Sequence, residues 1–190
     1  MIAKSHLFRH EPAWFDDRSG LYRTLPGTVR SWLYEPGSLT LRLQRACRGA
    51  FHVAVLGEGW ALPFVGESRL LGLPPASRCL VREVALMRAD EPLVLARSII
   101  PATTLRAADP GLSRLGSRPL GAVLFACPRL RRQRLQLARV RAGAFHGPAA
   151  PAAAVWGRRS LYSIAAGELL VCEFFLPAAL GLAETMQEGD

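Results

Sequence analysis

C-L-V-R-E-V-A-L-M at 79–87, R-A-D-E-P at 88–92 and L-V-L-A-R-S-I-I at 93–100 form the stretch on which the fold turns. Two apolar runs flank five residues of turn chemistry, the pattern of an antiparallel β-hairpin. Side chains alternate between the faces of a strand, so Arg82 shares a face with Leu80, Val84 and Leu86, and Arg97 with Leu93, Leu95 and Ile99. Further on, Glu173 stands in the same way among Leu169, Val171 and Phe175. A buried charge without a partner costs several kcal/mol or more, on the order of the penalty for an unpaired ion. Each of the three therefore needs compensation, from one another or from a ligand. A turn through Ala89 and Asp90 sets Arg82 opposite Arg97, two like charges that an anion would relieve. A register one residue away sets Glu83 opposite Arg97 instead.

Outward from this hairpin the elements fall into place. Residues 27–34 and 38–47 read as short helices, the second opened by Ser38 as N-cap. Phe51, Val53 and Val55 alternate as a strand. Pro119 fits the first position of a helix running to about Ala126, and 129–141 reads as a strand with an arginine-rich exposed face. A second hairpin joins 158–164 to 169–176 across 165–167. The expected fold is α+β, a single antiparallel β-sheet with helices on one face. One domain is expected over 1–190, with its core at about 27–180 and loose ends. The helix starts at Leu39 and Leu120 leave backbone N–H groups without partners in the helix, which an anion or ordinary capping by water satisfies.

Composition removes several classes of function. Among twenty-four basic side chains only one is a lysine, Lys4, in the first residues of the chain. Schiff-base, pyridoxal-phosphate and P-loop chemistry each need a positioned lysine. Cys47, Cys79, Cys127 and Cys172 form no C-x-x-C pair, and His6, His10, His52 and His146 no H-E-x-x-H motif, so no metal is expected. No apolar run is long enough for a signal peptide or a span, since Glu173 and Pro177 interrupt 169–180; a cytoplasmic protein without membrane insertion is expected. The formal charge of +9 favours anionic partners. Arg129, Arg131, Arg132, Arg134, Arg139 and Arg141 lack an interleaved aromatic platform, and read as a solvated strand face, not as a nucleic-acid surface. Gly57-Glu58-Gly59 lacks the third glycine and the helix of a dinucleotide loop.

Six segments resemble a known family in their order. They are W-L-Y-E-P-G-S-L-T at 32–40, V-R-E-V-A-L at 81–86, E-P-L-V-L-A-R-S-I-I-P at 91–101, L-G-S-R-P-L-G-A-V-L-F at 115–125, W-G-R-R-S at 156–160 and L-L-V-C-E-F-F-L-P at 169–177. The family is that of the chorismate pyruvate-lyases, and the resemblance covers roughly 32–177. It implies a monomer with a chorismate lyase-like sheet flanked by helices, and an aromatic product, 4-hydroxybenzoate, held in a shielded pocket without any cofactor. It assigns the ring carboxylate to Arg82, the phenolic hydroxyl to Glu173, and backbone contacts with that carboxylate to Leu120 and Leu39. Ubiquinone biosynthesis is the usual destination of the family's product. The chain departs from the pattern at Leu93, where a tryptophan is frequent, and in a longer alanine- and proline-rich region at 141–155.

The reaction this implies needs mainly positioning and charge stabilisation, because loss of enolpyruvate aromatises the ring. Arg97 is expected to meet the enolpyruvyl carboxylate, and Glu173 either orients the hydroxyl or takes a proton. Two other readings stand beside it. One is a non-catalytic effector-binding domain of the UTRA type, whose regulators carry a DNA-binding domain for which the thirty residues before Trp32 leave little room. The other is a basic nucleic-acid-binding module.

Overall fold

The structure, a computed structural model, describes residues 5–17, 20–107, 112, 115–127, 129–147, 149–165 and 167–187. Lys4 and Ala166 lie outside the described residues, as does most of 108–114. In chain order the elements begin with β1 (Phe15–Asp16), α1 (Leu21–Thr24), α2 (Gly27–Leu33), α3 (Leu39–Ala46), β2 (Phe51–Ala61) and α4 (Val65–Leu70). They continue with β3 (Cys79–Arg88), β4 (Glu91–Pro101), α5 (Ala102–Ala107), α6 (Leu120–Leu124), β5 (Arg131–Val140), β6 (Val155–Ile164), β7 (Gly167–Phe175) and α7 (Pro177–Gln187). The seven strands form one sheet in the order β1-β5-β6-β7-β4-β3-β2, every neighbouring pair antiparallel. The α+β class is as the sequence predicts.

The register of the central hairpin is decided by a bulge. The turn is Ala89-Asp90, with Ala89 at φ 48°, and Arg88 pairs with Glu91 and Met87 with Pro92. Leu86 then pairs with Val94, leaving Leu93 as an extra residue on β4. Pro92 has no N–H to give to the ladder, which is where a bulge is tolerated. The one-residue shift sets Glu83 opposite Arg97 and Arg82 opposite Ser98. The juxtaposition of Arg82 and Arg97 is thereby corrected: the two guanidinium groups leave the sheet on opposite faces.

One face of the sheet carries α2, α3, α6 and α7. Two apolar clusters lie on it, one around Trp32, Leu33, Leu43, Leu86 and Phe175, the other around Leu120, Leu124, Tyr162 and Leu169. Between them runs a polar band. Arg82, Ser98, Val171 and Ser160 make one cross-strand row, and Ala96, Glu173 and Arg158 the next. The other face is closed by α4 and the N-terminal segment, through Leu7, Phe8, Phe145 and Phe174 at one end and Leu71, Ile99 and Leu170 at the other.

From Ser5 the N-terminal segment is packed, in contrast to the loose end expected. Ser5 Oγ donates to Glu83 Oε1 at 2.5 Å and itself accepts from the amides of Leu7 and Phe8. The segment closes the sheet where Arg97 and Glu83 would otherwise meet water.

Candidate active site

The helical hairpin that covers the polar band is held by arginines. Ser38 caps α3, accepting from the Leu41 amide at 3.3 Å. At the end of α2, where backbone carbonyls lack partners within the helix, Arg158 Nη1 donates to the carbonyls of Trp32, Leu33 and Glu35. Arg42 donates to the Ser31 carbonyl and stacks on the Trp32 ring at 3.7 Å, and Arg132 reaches the Glu35 carbonyl. The turn that carries Leu39 is thus tied to β5 and β6. Pro119 stands at the N-cap of α6, one place ahead of the expected first position.

α3 and α6 meet at Gly121, where a Cβ would lie 2.7 Å from Thr40 Oγ1. This close approach of backbone to side chain needs glycine. Beneath it is a cavity of about 30 Å³ lined by Leu39, Thr40, Leu120, Gly121, Arg158 and Glu173, with Phe125, Tyr162 and Val171 at its sides. A volume of that size takes about one or two water molecules.

The structure brings Leu39, Leu120 and Glu173 together at this cavity. Arg82 lies on the same face but does not line it. Its Nη2 donates to the carbonyls of Gly116 and Arg118, in the segment leading into α6, and its Nε lies 3.0 Å from Glu58 Oε2 without hydrogen-bond alignment. From Arg82 on β3 to Glu173 on β7 is two strand spacings and two residues along the strand, roughly 12 Å between backbones.

Arg97 is not part of this constellation, which corrects the expectation that it meets an enolpyruvyl carboxylate. On the opposite face its Nε and Nη2 bind both oxygens of Glu67, at 2.8 and 3.0 Å, and its Nη1 binds Glu83 at 2.9 Å. Burial works against that charge, and Glu67 and Glu83 outweigh it, so its pKa is raised. Arg158 is likewise raised, burial being outweighed by Glu173, whose Oε2 accepts from Nε at 2.5 Å. Arg82 is the exception: burial lowers its pKa, and the partly exposed Glu58 only offsets this. Of Arg82, Arg97 and Arg158, Arg82 has the charge least compensated by the protein. The charges noticed in the sequence therefore do not pair with one another; each has its own partner.

Sequence reasoning missed Arg158, Glu58 and Glu67. Arg158 was visible as the inward residue of W-G-R-R-S, alternating with Trp156 and Ser160. Glu67 sits on a six-residue helix too short to show a period, where its Oε2 also accepts from the Phe64 amide that begins α4. Three arginines of the arginine-rich strand are engaged: Arg134 pairs with Asp16, Arg132 with the Tyr162 hydroxyl, and Arg139 lies over Trp156.

The chorismate lyase family model matches residues 14–181. A probable chorismate pyruvate-lyase of Methylococcus capsulatus is 50% identical over 166 residues, covering 83% of this chain and 99% of that one. One from Azoarcus sp. is 43% identical over 172 residues, covering 85% and 90%. Among solved structures, the C-terminal domain of PhnF is similar with a TM-score of 0.51 at 14% identity, over 66% of this chain and 82% of that one. The PhnF effector domain from Mycobacterium smegmatis gives 0.50 at 16% identity, over 75% and 90%. At such identities the likeness is one of fold.

Proposed function

The chain belongs to the chorismate lyase family, and on that premise we propose that it converts chorismate to 4-hydroxybenzoate and pyruvate. In this reaction the ether bond between ring and side chain breaks, its electron pair leaving with enolpyruvate. The ring carbon bearing the hydroxyl gives up its proton, and the ring becomes aromatic. That proton ends on the methylene carbon of enolpyruvate, which becomes pyruvate. Atoms balance without oxidant or reductant, and the protein's task is to bind, orient and stabilise charge.

Arg82 anchors the ring carboxylate, with the backbone at Leu120 and Leu39 as further contacts, and Glu173 accepts from the hydroxyl at the opposite end. The observation that carries this assignment is the undercompensated buried charge of Arg82, on the same sheet face as the buried Glu173 carboxylate two strands away. A ligand carboxylate exchanges with the Gly116 and Arg118 carbonyls at Arg82, and α3 and α6 must part to admit the ring. Glu173 already accepts a charged hydrogen bond from Arg158, which favours orientation of the hydroxyl over proton abstraction.

No helix among the described residues is long and apolar enough to cross a membrane. We further propose a cytoplasmic monomer whose product enters ubiquinone biosynthesis, the family's usual destination. The likeness to effector domains supports one competing reading, a binding domain without turnover. Purified, metal-depleted protein mixed with chorismate separates the two. Equimolar 4-hydroxybenzoate and pyruvate are expected; ligand binding without products supports the effector domain, and activity lost on chelation and restored by one metal rules out a cofactor-free reaction.

A further inference from the structure

With Arg97 on the far side of the sheet, the second carboxylate of a chorismate dianion has no assigned partner. We propose that Arg158 and Ser160, successive inward residues of β6, form the subsite for the enolpyruvyl carboxylate. The inference rests on the chorismate-lyase reading above and deepens it.

Two buried groups next to the cavity have unused hydrogen-bonding capacity. Arg158 is 1% exposed and lines the cavity beside Glu173. Its Nε is taken by Glu173 and its Nη1 by three carbonyls, whereas Nη2 makes no hydrogen bond among the described residues. Ser160 is fully buried and its Oγ has no hydrogen-bond partner. A buried polar atom left unpaired is costly, and such atoms in a folded protein call for a reason. Across the sheet from Ser160 is Val171, which borders the cavity, as do its neighbours two residues away on the strand, Arg158 and Tyr162.

The geometry of the substrate leads to the same place. The ring carboxylate sits at Arg82 on β3 and the hydroxyl at Glu173 on β7. The ether-bearing carbon is adjacent to the hydroxyl-bearing one, so the enolpyruvyl arm leaves the ring beside Glu173. The next strand in that direction is β6, where Arg158 pairs with Glu173 directly. As the ether bond breaks, negative charge grows on the departing enolpyruvate, and a fixed guanidinium beside it favours that step. Arg158 thus holds Glu173 and the leaving group with different nitrogens of one planar fork.

The subsite is tested with Ser160→Ala and Arg158→Lys, each assayed for chorismate kinetics and, by calorimetry, for 4-hydroxybenzoate affinity. The product has no enolpyruvyl arm. Ser160→Ala is expected to lower kcat/KM about ten- to hundredfold, the worth of a hydrogen bond to a charged group, with product affinity within about twofold of the parent. Because it removes an unpartnered hydroxyl, its urea midpoint should not fall. Arg158→Lys is expected to lose more activity than Ser160→Ala. Unchanged kcat/KM in Ser160→Ala, or equal losses for substrate and product, overturns the subsite while the parent's turnover leaves the lyase reading intact. A parent inert toward chorismate overturns both.

Discussion

Arg97→Met removes a guanidinium from the most enclosed ion cluster of the protein while keeping much of its aliphatic stem. Three charge-assisted hydrogen bonds of 2.8, 3.0 and 2.9 Å are lost. Glu67 keeps the Phe64 amide, and Glu83 keeps Ser5 Oγ and the His6 amide, but neither carboxylate keeps a cation. Removing one partner of a buried pair costs about 3–5 kcal/mol, and here two buried carboxylates are stranded at once, so the upper end is expected. Against a net stability of roughly 5–15 kcal/mol for a typical domain, that brings the variant close to unfolding. Urea denaturation followed by tryptophan fluorescence measures the loss. Adding Glu67→Gln and Glu83→Gln to Arg97→Met should restore a large part of it, because no buried charge then remains in the cluster. A variant within about 1 kcal/mol of the parent, with a raised KM for chorismate as its only defect, refutes the placement of Arg97 away from the substrate.

Arg82→Ala should weaken 4-hydroxybenzoate binding by about 2–5 kcal/mol; calorimetric affinity equal to the parent's contradicts the anchor. Glu173→Gln should lower single-turnover rates modestly if the group only orients the hydroxyl, whereas loss of a general base costs about a hundredfold to ten-thousandfold. Gly121→Ala drives a methyl group against Thr40 Oγ1 and should cost about 1–3 kcal/mol of overpacking, with Thr40→Ala restoring room in the double variant; a stability equal to the parent's argues against tight α3–α6 contact. Burial, with Glu67 adding to it, pushes the Cys79 thiol up to about 11, above about 8.5 for an unfolded cysteine. Its stabilising contribution is complete below the lower value and is lost as pH rises toward the upper one, so Cys79 should resist alkylation at pH 8 until the protein unfolds.

The parts of the fold legible in the sequence are those with strong local signals. The runs at 79–87, 93–100 and 169–176 announced their strands by composition, and Ser38 announced the start of α3. Strand alternation also picked out Arg82, Arg97 and Glu173 as charges needing partners, and all three are buried. Their partners could not be read so easily, because they are set by tertiary contacts. Leu93 becomes a bulge because Pro92 follows a two-residue turn, and this single extra residue moves Arg97 to the face opposite the expected one. Glu67 and Ser5 lie far from Arg97 and Glu83 along the chain, in segments with no periodicity. Arg158 could be placed by its alternation with Trp156 and Ser160, but its partners, Glu173 and the carbonyls at the end of α2, are again set by tertiary contacts.

A crystal structure of the protein with 4-hydroxybenzoate would show whether one aromatic acid lies across the sheet between Arg82 and Glu173. The ring is expected beneath α3 and α6, with its carboxylate on the Arg82 guanidinium and near the Leu120 amide, and its hydroxyl on Glu173. A ligand bound with the ring reversed, or in the open cleft of about 760 Å³ beside Tyr22, Arg30 and Arg45, would contradict it.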